Sequence, residues 1–262
     1  MTRLCQQAIV VVLVLALGAC TSTNAFVDMR PDNEGNAFAV AWLEFTRPDD
    51  SHVTLVNMAH FGHVDFYDRV SKSLNNYDIV LMEGVTGERK TPSEVMSHYR
   101  EIAETLGVTT QESALAPQSN WRVSDVDAGT IAAAIGDIEA EIGSFNELLK
   151  SRLQEEIAFS KAKWPALNEA EHKAKAQESL RQSFAEGLTE STVDSDPIII
   201  VARNRFLLAR LDDYLGSKDS VGARNVAICW GVAHAPDLVE RLKNDGWILT
   251  SIEWQPVFPI AP

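Results

Sequence analysis

The stretch His52–Gly84, HVTLVNMAHFGHVDFYDRVSKSLNNYDIVLMEG, decides the fold. Its β-branched apolar run, Val53 to Val56, reads as a buried strand. Two histidines, His60 and His63, follow at once. A helix is expected from Asp65, a good N-cap residue, with Phe66, Val70 and Leu74 four apart on one face. A second apolar run, Ile79 to Met82, ends in Glu83-Gly84. Strand, histidine turn, helix and a strand tipped with a carboxylate thus come in order, a parallel βαβ unit. Open α/β sheets bind ligands at the carboxyl ends of their strands, where His60 and Glu83 fall. The bland alternative is that a histidine after a strand only caps a helix or faces water.

A second copy of the pattern near the other end weighs against that alternative. Asn225 to Trp230 (NVAICW) is another short apolar run, and Gly231-Val232-Ala233-His234 follows it. Pro236 suits the start of a helix, Leu238, Val239 and Leu242 give it an apolar stripe, and Gly246 fits its C′ position. Trp247 to Ile252 is the next strand. His60 and His234 occupy equivalent points of two strand-to-helix joints. If both strands are central and parallel, both imidazoles point into one crevice.

The motifs N-M-A-H (Asn57 to His60), M-E-G (Met82 to Gly84) and G-V-A-H (Gly231 to His234) resemble the paired glycine-x-x-histidine motifs and intervening glutamate of the TraB/GumN–TIKI superfamily. That clan also takes in erythromycin-esterase-like and ChaN-like proteins. Arg203-Asn204 looks like the family's arginine motif on a late helix, and Asp125 in W-R-V-S-D-V-D looks like a recurring aspartate of its bacterial members. Asn57 departs from the pattern, standing where the first motif has glycine. The resemblance implies an α/β fold with a mixed central sheet, flanking helices and a helical cap insertion.

Around these motifs, Ala37 to Phe45 reads as a strand paired with Val53–Val56 across the turn Arg47-Pro48-Asp49-Asp50-Ser51, which makes the sheet mixed. Thr91-Pro92-Ser93-Glu94 is a capping box that starts a helix running to Leu106, closed by Gly107. His98 is expected to be solvated on it. Val108 to Trp121 is irregular. Asp127 can cap a long helix over 128–163, broken at Gly143, and another spans about 168–187. Together, about 128–190, these form either a cap over the site or a peripheral hairpin. Asp196-Pro197 starts a helix that is nearly all apolar around Arg203 and Asn204. A cation embedded there is costly unless paired, and Glu83 and Asp125 are the candidates.

The first residues are not part of the fold. Arg3 gives a positive n-region, and Ala8 to Leu17 is an apolar stretch too short to span a bilayer comfortably. Leu17-Gly18-Ala19-Cys20 resembles a lipobox, so residues 1–19 are expected to be a lipoprotein signal peptide and Cys20 the acylated N-terminus. Residues 20–36 then form a tether, and 37–262 a single domain. Thr21 rather than Asp after the cysteine implies the outer membrane, with the chain on its periplasmic face in a bacterial envelope. Only Cys229 then remains free, inside an apolar strand, which rules out an intrachain disulfide and a cysteine zinc cluster. The net charge of −14 argues against nucleic acid, which needs basic patches, and against peripheral binding to anionic lipid, so the lipid chain is the anchor.

Two imidazoles and a carboxylate, His60, Glu83 and His234, match the ligand types of a mononuclear Zn, Mn or Co site with an open position for water. The TIKI branch of the resemblance implies the same, a metal-dependent peptidase, and the function expected is hydrolysis of peptides, amides or esters. The embedded Arg203 then steadies an oxyanion or orients Glu83, with His63, Asp125 and Asn204 around the cluster. The erythromycin-esterase branch implies a metal-free route, in which one histidine activates water and Glu83 orients it. The ChaN-like branch implies haem binding, with His60, His63 or His234 as axial ligands and Tyr67 or Tyr77 contributing. A non-catalytic binding lipoprotein is the remaining reading. No G-x-S-x-G elbow points to a covalent mechanism.

Overall fold

The structure is a computed structural model that describes residues 25–32, 35–84, 93–127, 132–190, 197–216 and 224–260. The signal, the lipobox Cys20, residues 20–24 of the tether, and Thr91 and Pro92 of the capping box lie outside these residues.

The described residues build a seven-stranded mixed sheet and a separate two-stranded one. Strands β1 (Val27–Asp32), β2 (Gly35–Thr46) and β3 (His52–Met58) open it. A two-residue strand β4 (Phe61–Gly62) and helix α1 (Val64–Leu74) lead to β5 (Ile79–Met82). Helix α2 (Ser93–Leu106), the short β6 (Thr109–Thr110) and α3 (Gln111–Ala114) precede β7 (Trp121–Val123). Two long helices follow, α4 (Ala132–Lys163) and α5 (Glu169–Glu190). A π-helical stretch, Pro197–Ala202, runs into α6 (Arg203–Gly216). Then come β8 (Asn225–Gly231), a 3₁₀ turn (Val232–His234), α7 (Ala235–Asn244) and β9 (Ile248–Ile260).

The expected β2–β3 hairpin is present, antiparallel, with Leu43 opposite Leu55. β3 pairs in parallel with β8, β8 with β5, and β5 with β7, while β9 runs antiparallel along the other side of β2. So β8, late in sequence, is inserted between β3 and β5. Side chains along β8 alternate between the faces: Ala227 and Cys229 join one buried cluster, Val226, Ile228 and Trp230 the other. The first cluster takes Phe66, Val70 and Leu74 of α1; the second takes Leu238 and Leu242 of α7 with Leu207 and Leu211 of α6. The chain therefore leaves β3 onto one face and β8, its neighbour, onto the other. In open α/β sheets such a reversal is where ligands bind, at the carboxyl ends of the two strands.

Residues 27–32 and 35–36, expected in the tether, belong to the sheet as β1 and the start of β2. Further local expectations are corrected. The N-cap of α1 is His63, not Asp65: its ring accepts from the Asp65 N–H, and Asp65 lies in the first turn. α4 runs unbroken through Gly143, which instead lets His98 approach; an added Cβ would stand 3.3 Å from His98 Nε2. His98 is accordingly half-buried against α4 rather than solvated. The α4–α5 hairpin also supplies Phe145, Leu149, Leu180 and Phe184 to the first cluster, so it is part of the core.

Candidate active site

Sheet register brings the motif residues to one edge. Met58 lies opposite Gly231, and Met82 opposite Cys229. His60 is two residues past the first of these, His234 three past the second, and Glu83 donates its backbone N–H to Cys229 O at 3.1 Å. Among the described residues the deepest member of the group is Asp125, fully buried, just beyond β7.

Arg203 joins these parts. Its Nε donates to Asp125 Oδ1 at 2.9 Å and its Nη2 to Asp125 Oδ2 at 2.6 Å, a two-pronged pairing that only a guanidinium makes. The same Nη2 donates to Glu83 Oε1 at 2.7 Å, and Nη1 faces His234 Nε2 at 3.4 Å. The guanidinium also lies 5.1 Å from the centre of the buried Trp230 ring. The π-helical stretch immediately before Arg203 sets the angle at which it enters; such distortions recur at functional sites.

Glycine at 231 has a steric reason. Its N–H donates to Glu83 Oε2 at 2.7 Å, and an added Cβ would stand 3.1 Å from that oxygen. The backbone thus holds the carboxylate at a distance a side chain would obstruct. Asn57, which replaces glycine in the first motif, is fully buried. It stands opposite Ala41 in register, where the β2–β3 ladder has ended, and its Nδ2 donates to Ala41 O at 2.6 Å. The side-chain amide does there what a backbone pair does lower down.

Charge states follow from burial and partners. Burial opposes the Glu83 charge, but Arg203, His234, His60 and the Gly231 N–H together outweigh it and hold the carboxyl well below the usual range. Burial opposes the Arg203 charge too, yet Glu83 and Asp125 keep it firmly protonated. His234 is pulled down to about 3, first by burial and then by Arg203, against the pull of Glu83. Its Nδ1 meets Asn204 Oδ1 at 2.6 Å, an acceptor, so the proton sits on Nδ1 and the Nε2 lone pair faces Arg203. Asn204 in turn donates to Asp237 Oδ2 at 2.8 Å. His60 is also lowered, mainly by burial, with Glu83 opposing and Arg203 adding.

The group has a closed end and an open end. Side-chain exposure falls from 16% at Glu83 to 9% at Arg203, 4% at His234 and zero at Asp125. His60 is half-buried. Its ring stacks on Tyr99 of α2, centroids 5.4 Å apart. Burial and the Glu83 charge raise the Tyr99 phenol, so it stays protonated as a donor. Tyr99 is a site residue that the sequence did not single out. Nothing in its neighbourhood on α2 distinguishes it; only the tertiary contact with His60 does.

Not every expected residue joins. His63 is exposed, and its Nδ1 accepts from the Asp65 N–H as the cap of α1, outside the cluster. Tyr67 is buried, and its hydroxyl donates to Ala59 O at 2.9 Å. Tyr77 precedes β5, at the opposite edge of the sheet, beside a cavity of about 190 Å³ with His52 and Asn225. Among the described residues no three His, Cys, Asp or Glu side chains stand close enough together to hold a metal ion. Arg203 gives the reason: a cation already sits between Glu83 Oε1 and His234 Nε2, on the atoms an ion would need. The residues present do not fit a resident metal at His60, Glu83 and His234.

No family model, no curated protein and no solved structure matches the chain.

Proposed function

We propose that the chain is a metal-independent hydrolase of esters or amides, acting in the bacterial envelope from a lipid anchor at Cys20. The observation that carries this reading is the clamp of Arg203 on an ionised Glu83 at the strand ends, with a partly accessible His60 near enough to feel the Glu83 charge. The motif order supports hydrolysis, since it resembles the TraB/GumN–TIKI clan, whose erythromycin-esterase branch implies a metal-free route.

In this reading His60 takes a proton from water as the water oxygen attacks the substrate carbonyl. The imidazolium so formed is stabilised by the Glu83 charge, which already favours the protonated ring. The Nη1 edge of Arg203 and the Tyr99 hydroxyl stabilise the oxyanion. Collapse breaks the bond to the leaving group, which takes the proton back from His60. Glu83 itself is too strongly held as an anion to exchange protons, so its role is to orient and to stabilise. His234 fixes the guanidinium from behind.

The test is hydrolysis of a panel of chromogenic esters and amides by the purified chain in the presence of a chelator. His60→Gln is expected to lower kcat by about 10²–10⁴-fold with the fold intact. The acid limb of the kcat/KM profile should lie below the ordinary histidine value of 6.5, because His60 is lowered. Activity that disappears with the chelator and returns with stoichiometric Mn, Co or Zn would move the assignment to the metal-dependent TIKI-like reading. A Soret band on adding haem, with no hydrolysis, would move it to the ChaN-like one. Anchoring is tested separately: Cys20→Ala should abolish the processed, membrane-partitioned form.

A further inference from the structure

At the far end of the α4–α5 hairpin the surface changes character. Leu153 is the last buried hydrophobic residue of α4 and Ala176 the first of α5, with Ile157 packed partly buried beyond Leu153. The turn at Trp164 lies eleven residues beyond Leu153, about 16 Å further along at 1.5 Å per residue. This tip exposes two large aromatic side chains, Phe159 at 56% and Trp164 at 37%, their rings edge to face at 6.4 Å. Lys163 Nζ lies 4.5 Å from the Trp164 ring centre and Lys175 Nζ 4.8 Å.

The tip is rigid and locally basic. Ser160 and His172, both buried, are joined at 2.9 Å across the hairpin. Asn168 and Glu171 form a reciprocal cap at the start of α5, at 2.7 and 3.1 Å. Residues 157–175 hold four lysines and two glutamates in a chain whose net charge is −14. Both glutamates are engaged: Glu171 in the cap, Glu169 with Lys161 at 2.7 Å. Among the described residues neither Lys163 nor Lys175 has a carboxylate within 4.0 Å, while Glu156 and Glu178 stand one turn nearer the body, across a recess of about 180 Å³.

We infer that this tip docks on a phospholipid surface bearing anionic headgroups, with Trp164 and Phe159 at the headgroup level and Lys163 and Lys175 on the phosphates. Aromatic rings with a polar rim and lysines with long apolar stems are the side chains that settle at a membrane–water boundary. A stapled hairpin presents them without an ordering cost at the moment of contact. The overall negative charge is no obstacle, because screening confines each charge to about 10 Å and Trp164 lies about 16 Å along the helix from Leu153.

The inference is independent of acylation at Cys20 and of the hydrolase reading. The full chain is mixed with vesicles of phosphatidylcholine alone, which reads any binding by the N-terminal lipid, and with vesicles also containing phosphatidylglycerol. Trp164→Phe should remove a component of the tryptophan quenching caused by brominated acyl chains. Lys163→Gln with Lys175→Gln should lower the extra binding to phosphatidylglycerol vesicles about tenfold or more, with helicity unchanged. Quenching identical in Trp164→Phe and the original chain, or phosphatidylglycerol binding equal in the lysine variant, overturns the inference. So does a change in sedimentation equilibrium without lipid, which would make the tip a contact between copies of the chain.

Discussion

Arg203 shows how much one residue can hold. Among the described residues it is the only Arg or Lys paired with both the buried Asp125 and the partly buried Glu83. Arg203→Met fills the same space but strands both charges, and breaking a buried pair this way costs about 3–5 kcal/mol. Denaturant unfolding at neutral pH should show a loss of that size. Arg203→Lys keeps the charge but not the two-pronged geometry on Asp125, so it should fall between the two. Equal stability of all three proteins would mean that the ion pairs contribute nothing net. Gly231 is the matching backbone case. Gly231→Ala presses a methyl on Glu83 Oε2, so activity should fall through displacement of the carboxylate, and thermal stability with it by about 1–3 kcal/mol.

At the scale of elements, the edge of the hairpin and the entry to α6 decide where side chains arrive. β2 and β3 separate above the Leu43–Leu55 pair, and Asn57 spans the gap with its amide while its carbonyl receives the Trp42 indole N–H at 3.3 Å. Asn57→Ala leaves the Ala41 carbonyl buried without that donor, a loss of about 1–3 kcal/mol. Amide exchange should speed up locally at Trp42 and Met58 before it does elsewhere in the sheet; uniform protection would show that the strap is dispensable. The π-helical stretch before Arg203 acts as a phase adjuster. Deleting Val201 within it would turn Arg203 by about 100°. The expected result is a helical, folded chain with no hydrolytic activity, checked by circular dichroism beside the ester assay.

For the whole molecule the buried site makes stability depend on acid. His234 is lowered to about 3, so between the ordinary histidine value of 6.5 and about 3 the unfolded chain binds a proton that the folded chain refuses. Stability is therefore full above this window and falls as pH drops through it, by about 1.4 kcal/mol per pH unit for one such histidine. Glu83 adds to the loss at lower pH. Its folded value is depressed, so its stabilising charge is present above the ordinary carboxylate range and vanishes only as protons are forced onto it. Unfolding free energies measured from pH 7 to pH 4 should decline, and His234→Gln should flatten the slope. A slope unchanged by that substitution would place the acid sensitivity elsewhere.

The sequence alone determined the elements that carry the site. The β-branched run before His60, the run before Gly231-Val232-Ala233-His234 and the carboxylate after Met82 are local patterns, and local patterns dictate strand, turn and helix. It also showed that Arg203, set in an apolar helix, needs a carboxylate, because the cost of burying a lone charge is independent of fold. What the tertiary structure alone decided is which residues meet. β8 enters between β3 and β5 across more than a hundred residues of chain, and no periodicity encodes that pairing. His63 and His60 look alike in sequence, yet one caps α1 in solvent and the other stacks on Tyr99, because a two-residue strand turns the chain between them. Arg203 stands between the would-be metal ligands for the same reason. Its position follows from the packing of α6 on the second face of the sheet, and packing is a property of the whole assembly of side chains.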